Sequence, residues 1–191
     1  MINGNFISEV ENLQQTYHKT YKINPSLFTS AYNNESQMSQ DYNGRQILEL
    51  LQNADDAKAP FVKITLNKTN KTLSFANTGD NLFTSKGIES LMLANNSPKD
   101  PNENIGNKGL GFRAVIAWCN EITIFSNKTK IEFSKEIIKS YVCTSDEKLC
   151  LNYSMDDIEK LNKEKKIKPK NIIPFPILGM PKLTKSDITT N

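Results

Sequence analysis

The sequence predicts a two-layer α/β sandwich, a sheet with helices packed on one face. Two observations carry this. Hydrophobic periodicity switches along the chain from helical to alternating and back, in the order helices, strand pair, helix, loop, helix, strands. The composition also suits one sizeable core. The chain has 191 residues, 37% of them hydrophobic and 24% charged, which excludes wholesale disorder.

Each element follows from local pattern. Phe6, Val10, Leu13 and Tyr17 recur at three- and four-residue spacing, which predicts a helix over residues 2–17. A second, short helix is expected over 25–32. Residues 45–57 carry apolar Ile47, Leu48, Leu50, Leu51 and Ala54, bounded by Gly44 and Pro60. This predicts a helix of about three turns, largely buried. Residues 61–66 alternate as a strand, and so do residues 72–77 around Leu73 and Phe75. Residues 84–94 read as a helix with Ile88, Leu91 and Met92 inside, and 112–118 as a mostly buried helix. Residues 122–125 and 131–133 form a hairpin across Ser126-Asn-Lys-Thr129. Residues 134–141 are left between helix and irregular chain. Ser154-Met-Asp-Asp157 resembles a capping box, which predicts a helix to about residue 165 with a lysine-rich end. Pro174, Pro176 and Pro181 then punctuate a tail whose last ten residues show no strand alternation.

Three segments carry chemistry. On the 45–57 helix Glu49, Asn53 and Asp56 stand at i, i+4 and i+7 and share a face. A buried carboxylate needs a partner or a task, and a Glu beside a water can act as general base. An Asn carbonyl is a hard oxygen ligand suited to Mg²⁺, which takes few protein ligands alongside waters and phosphates. The second segment is Gly106-Asn-Lys108-Gly109-Leu110-Gly111-Phe112. Its glycines let backbone approach a phosphate, and the helix after it offers unpaired amides to an anion. No Gly-Lys-Ser/Thr follows, so it is not a P-loop, and the loop before it excludes a dinucleotide fingerprint. The third is Asn77-Thr-Gly79 at a strand end, where an Asn has a donor and an acceptor to offer a base edge. Singly, these are an amphipathic helix, loop punctuation and an ordinary turn. Together they point to a magnesium nucleotide with a water directed at its terminal phosphate.

In this order, the three segments resemble the GHKL ATPases: gyrase, MutL, the histidine kinases and the ninety-kilodalton heat-shock chaperones. The run Arg45-Gln-Ile-Leu-Glu-Leu-Leu-Gln-Asn-Ala-Asp-Asp-Ala57, followed by Ile105-Gly-Asn-Lys-Gly-Leu-Gly-Phe112, is similar to the sacsin-type and NO VEIN-type branch. The upstream Asp41-Tyr-Asn-Gly-Arg45 fits that branch too. The resemblance covers residues 20–135 and implies the Bergerat fold, with a mixed sheet and helices on one face. It implies ATP and Mg²⁺ as cofactors. Glu49 matches the general base, Asn53 the metal ligand and Asp56 a carboxylate one turn on. Asn77 stands where most relatives carry an Asp that accepts from the adenine amino group, so a charge-assisted bond becomes a neutral, weaker one. Gly79 matches the glycine that lets the base approach. Gly106, Gly109 and Gly111 match a phosphate-facing lid hinge, with Lys108, Leu110 and Phe112 beside them and residues 94–105 as the lid body. Relatives close their sheet with a later Gly-Thr-containing strand, and none is legible here. The expected organisation is therefore an N-terminal helical segment 1–40, an ATP-binding core 41–153, and a helical extension with a Pro-containing tail, 154–191, leading into a larger protein.

The remaining composition narrows the class. Net charge is +3, with no global nucleic-acid footprint; the basic stretch is local, from Lys160 to Lys170. Contact of that stretch with nucleic acid is the minor reading, a solvated helix end the major one. No apolar run reaches membrane length and the N-terminus lacks a signal peptide's pattern, so a cytoplasmic location is expected. Cys119, Cys143 and Cys150 lack metal spacing and read as reduced thiols. His18, the single histidine, lacks the acidic neighbour of a phospho-acceptor and reads as a surface or packing residue. Three functions remain: an ATPase module driving a chaperone-like or defence-related cycle, a sensor that binds nucleotide without hydrolysis, and a nucleic-acid-handling ATPase. Retention of Glu49 favours the first. Dimerisation through the module is left open.

Overall fold

The computed structural model describes residues 3–24, 26–41, 44–79, 81–93, 111–126, 128–143 and 176–185. Helix α1 (Asn3–Ile23) continues one and a half turns beyond its predicted end. Tyr21 extends the apolar stripe of Phe6, Val10 and Tyr17, and Asn24 and Pro25 end it. After the proline comes α2 (Ser26–Asp41), twice the predicted length. Helical periodicity underestimates α2, where the buried position among the described side chains is a carboxylate, Glu35. The two helices then lead to α3 (Gln46–Asp56), which precedes the hairpin β1 (Val62–Asn67) and β2 (Thr72–Asn77).

Helix α4 (Ser85–Met92) opens on Thr84, whose Oγ1 accepts the Gly87 N–H at 3.1 Å. It buries Ile88, Leu91 and Met92. Two contacts clamp it to α1. The Tyr17 hydroxyl donates to Glu89 at 3.0 Å, and the Ser85 hydroxyl to Glu9 at 2.5 Å. A 3₁₀ helix (Gly111–Ala117) stands where sequence predicts an α-helix. The antiparallel strands β3 (Glu121–Ser126) and β4 (Thr129–Ser134) follow, and then α5 (Lys135–Cys143). The register pairs Ile122 with Phe133 and Ile124 with Ile131, all four buried, so strict alternation sends one sheet face inward.

The tail departs from the sequence expectation. Residues 177–179 form a 3₁₀ turn with Ile177 and Leu178 buried, and β5 (Lys182–Lys185) pairs antiparallel with β4. The expectation of no strand in the last ten residues is therefore corrected, although β5 carries no Gly-Thr pair. β5 has four residues and one apolar position, Leu183, opposite Ile131; its pairing comes from β4's backbone rather than from its own pattern. The cluster around Phe133, Ile131, Val10, Ile88 and Leu178 draws on α1, α4, the β3–β4–β5 sheet and the 177–179 turn at once. Helix α1 and residues 177–183 thus share one core with the middle of the chain. The predicted helix over 154–165 lies outside the described residues.

This is the α/β sandwich the sequence predicts. Among the described residues its sheet comes in two antiparallel pieces, β1–β2 and β3–β4–β5. In the first piece Val62, Ile64, Leu66, Leu73 and Phe75 share a face by register, and all but half-buried Phe75 are exposed. No described helix is long and apolar enough to cross a membrane.

Candidate functional site

Helix α3 turns its polar side inward. Gln46, Glu49 and Ala54 are buried, Asn53 is half-buried, and Leu48 and Leu51 are exposed. The expectation of a largely buried, leucine-packed helix is thus corrected. The inward face runs through 46, 49, 53 and 54, with Ile47 and Leu50 half-buried and Leu48 and Leu51 left in solvent. Asp56, one turn beyond Asn53, is exposed, so the three predicted polar residues do not share one environment.

The first half of α3 packs on the 3₁₀ helix Gly111–Ala117, and the contact is made by Glu49 on Gly111. A Cβ added at Gly111 would overlap Glu49 Oε2 outright and lie 2.7 Å from its Cδ and 3.1 Å from its Cβ. Only glycine lets the carboxylate occupy that place. The other oxygen, Oε1, lies 3.5 Å from the guanidinium of Arg45, one turn earlier and largely exposed. Phe112 follows half-buried, packed on the core, which fixes how the 3₁₀ helix presents Gly111. Gly106, Lys108, Gly109 and Leu110 lie outside the described residues.

The far end of α3 meets the other predicted turn. It closes with a Schellman arrangement: Lys58 N–H donates to Asp55 O at 2.7 Å, and Ala59 N–H to Ala54 O at 2.9 Å, with Lys58 left-handed at φ 54°. Gly79, at φ +139°, seats on this end; a Cβ there would lie 3.6 Å from Ala59 Cα and 3.7 Å from the Ala57 carbonyl. The turn is pinned by Thr78 N–H donating to Phe61 O at 3.1 Å and Asn81 Nδ2 donating to Ala57 O at 3.0 Å. Asn77, the last residue of β2, is exposed at its edge. So α3 touches Gly111 with its first turns and the Gly79 turn with its last, and Asn53 lies between.

Sequence reasoning missed a second glutamate–arginine pair. Arg113, in the 3₁₀ helix, and Glu35, in α2, are both buried with a 3.6 Å separation. Glu35 accepts the Ile177 N–H on Oε2 and the Leu178 N–H on Oε1, each at 2.7 Å, and Arg113 donates to the Leu91 carbonyl at 2.5 Å. Burial lifts the Glu35 carboxyl to about 7, against the opposing pull of Arg113, the two backbone N–H groups and Lys135. Burial likewise lowers Arg113. One signal was available: an arginine inside the apolar run Phe112–Ala117 requires a buried partner. Nothing in the sequence of α2 singled out Glu35 as that partner.

Two lesser expectations can be placed. His18 is buried in α1. Cys119 is a partly buried free thiol, 3.1 Å from the Val115 carbonyl and raised by burial. Cys150 and the side chain of Cys143 lie outside the described residues.

A family model, described as histidine kinase-, DNA gyrase B- and HSP90-like ATPase, matches residues 44–171, about two thirds of the chain. The chain belongs to this ATPase family. No curated protein and no solved structure matches it. The match begins at Gly44 and takes in α3, the Gly79 turn and the whole glycine segment.

Family membership makes ATP the ligand, and the geometry suits it. Gly111 presents bare backbone, and the Glu49 carboxylate is seated against it. Among the described residues no three His, Cys, Asp or Glu side chains gather to hold a metal by themselves. A cation beside Asn53 would complete its shell with phosphate oxygens and water, the coordination Mg²⁺ favours.

Proposed function

We propose that this domain binds ATP with Mg²⁺ and hydrolyses it, with Glu49 as general base. The observation that carries the reading is the seating of the Glu49 carboxylate on Gly111. It brings the one buried acid of α3 to the last glycine of the phosphate-facing segment. A bound Mg²⁺ would neutralise phosphate charge and orient the nucleotide. Asn53 is the ligand offered to it, half-buried one turn from Glu49. Glu49 takes the proton of a water as that water attacks the terminal phosphate. Asn77 accepts from the adenine amino group, and Gly79 lets the base lie against the end of α3. Asp56, being exposed, acts at most through water. Lys108, with Gly106 and Gly109, adds charge and close backbone approach at the phosphates. The resemblance to sacsin-type proteins extends the proposal to a lid-closure cycle through residues 94–111, serving chaperone-like or defence-related work.

Two substitutions test the core of this reading. Glu49→Gln abolishes turnover, a loss on the order of 10²- to 10⁴-fold, and leaves ATP affinity by calorimetry intact. Asn53→Ala weakens binding only when Mg²⁺ is present. Wild-type turnover in Glu49→Gln assigns the base elsewhere. Binding without turnover in the wild type makes the domain a nucleotide sensor.

A further inference from the structure

We propose that Arg45 is a positioning residue for hydrolysis, holding the Glu49 carboxylate in the orientation that aims its second oxygen at the reacting water. The inference rests on the reading of Glu49 as base and goes beyond it by naming what aims the base. Two observations carry it.

The first is how the carboxylate is held. Glu49 is buried, and its two oxygens face different ways: Oε1 toward the Arg45 guanidinium at 3.5 Å, Oε2 onto Gly111. Among the described residues the ion pair with Arg45 is the carboxylate's one polar side-chain partner. Gly111 offers only a surface to lie on. Without Arg45 the side chain keeps its place on α3 and loses the contact that fixes the rotation of its end. A base misaimed by about 1 Å costs on the order of 10²-fold in rate.

The second is that Arg45 is a poor choice for stability. It occupies the N-cap of α3 and makes no side-chain capping bond there, where Ser, Thr, Asp or Asn would satisfy an orphan N–H. It also places a cation at the positive end of the helix dipole. In an i, i+4 pair the favourable order puts the acid first, and here the arginine comes first. A residue that breaks three local rules at the mouth of a site points to function.

The test is a cycle of four chains: wild type, Arg45→Ala, Glu49→Gln and the double variant. Each is assayed for steady-state ATP turnover, ATP affinity by calorimetry and thermal midpoint. Arg45→Ala is expected to lower kcat by about 10- to 100-fold, with affinity and midpoint unchanged. Arg45→Lys restores part of the loss, because the charge is kept but the planar fork is not. In the Glu49→Gln background Arg45→Ala has no further effect, since a residue acting through another shares its loss. Wild-type kcat in Arg45→Ala, with Glu49→Gln inactive, overturns the proposal and leaves the base assignment standing. Lost ATP affinity in Arg45→Ala also overturns it and makes Arg45 a phosphate ligand. An active Glu49→Gln overturns the base assignment and the proposal with it.

Discussion

Two glutamate–arginine pairs meet the same 3₁₀ helix at nearly equal separations, 3.5 Å for Arg45–Glu49 and 3.6 Å for Arg113–Glu35. Their surroundings differ. Both oxygens of Glu35 are filled by donors, two backbone N–H groups and a buried guanidinium. Glu49 has one oxygen toward a largely exposed arginine and the other against a bare glycine. The first carboxylate is tied on both oxygens and acts as a structural joint among α2, the 3₁₀ helix and the 177–179 turn. The second has an oxygen to spare. Donor count and solvent, more than ion-pair distance, set the two acids apart.

The largest expected effect tests this contrast directly. Arg113→Met leaves Glu35 buried without its cation and should destabilise the domain by about 3–5 kcal/mol in chemical denaturation. Arg45→Ala removes a solvent-screened pair and should change stability by only about 0.5 kcal/mol. Equal losses would break the comparison. A Glu35→Leu/Arg113→Met double variant should cost less than Arg113→Met alone, because no charge is then left stranded.

A pH series sharpens it. The folded Glu35 carboxyl lies near 7, above its ordinary 4.5, so between these values the folded chain binds more protons than the unfolded one. Stability from this group is full below about 4.5 and is lost as pH rises through about 7. The unfolding free energy of the wild type should therefore fall by a few kcal/mol across that window, and Glu35→Gln should flatten the slope while lowering the starting level. A wild-type curve that instead climbs over the same window would mean that the surrounding donors outweigh burial.

Gly111→Ala gives a smaller loss of stability than Arg113→Met and a complete loss of turnover. The added Cβ takes the place of the Glu49 carboxylate, which must swing away. Overpacking of this kind costs about 1–3 kcal/mol. Retention of wild-type turnover in Gly111→Ala would show that the carboxylate works from another position.

The hairpin over 121–134 and helix α4 were legible because alternation and helical spacing there coincide with burial, as at Ile122, Ile124, Ile131 and Phe133. Helix α3 was legible in extent and misread in orientation. It was expected to be largely buried, yet Leu48 and Leu51 are exposed while Gln46 and Glu49 lie inside. Of the candidate site, the positions of Glu49, Asn53 and Gly79 on helix and turn could be read from spacing. The Glu49–Gly111 contact could not, since 62 positions separate its members and no local pattern links them. Strand β5 and Glu35 were invisible for the same reason: each is defined by a distant partner's backbone.

That last contact also governs when the domain can assemble. Glu35 receives its two N–H donors from residues 142 and 143 positions later. At ribosomal rates of about 5–20 residues per second, helix α2 emerges on the order of ten to thirty seconds before those donors exist. Until the 177–179 turn arrives, closing the core over Glu35 would bury a carboxylate two donors short, so the N-terminal helices must wait in an open state. The joint that holds the finished domain together thus makes its folding a late event, completed only after nearly all of this sequence has been synthesised.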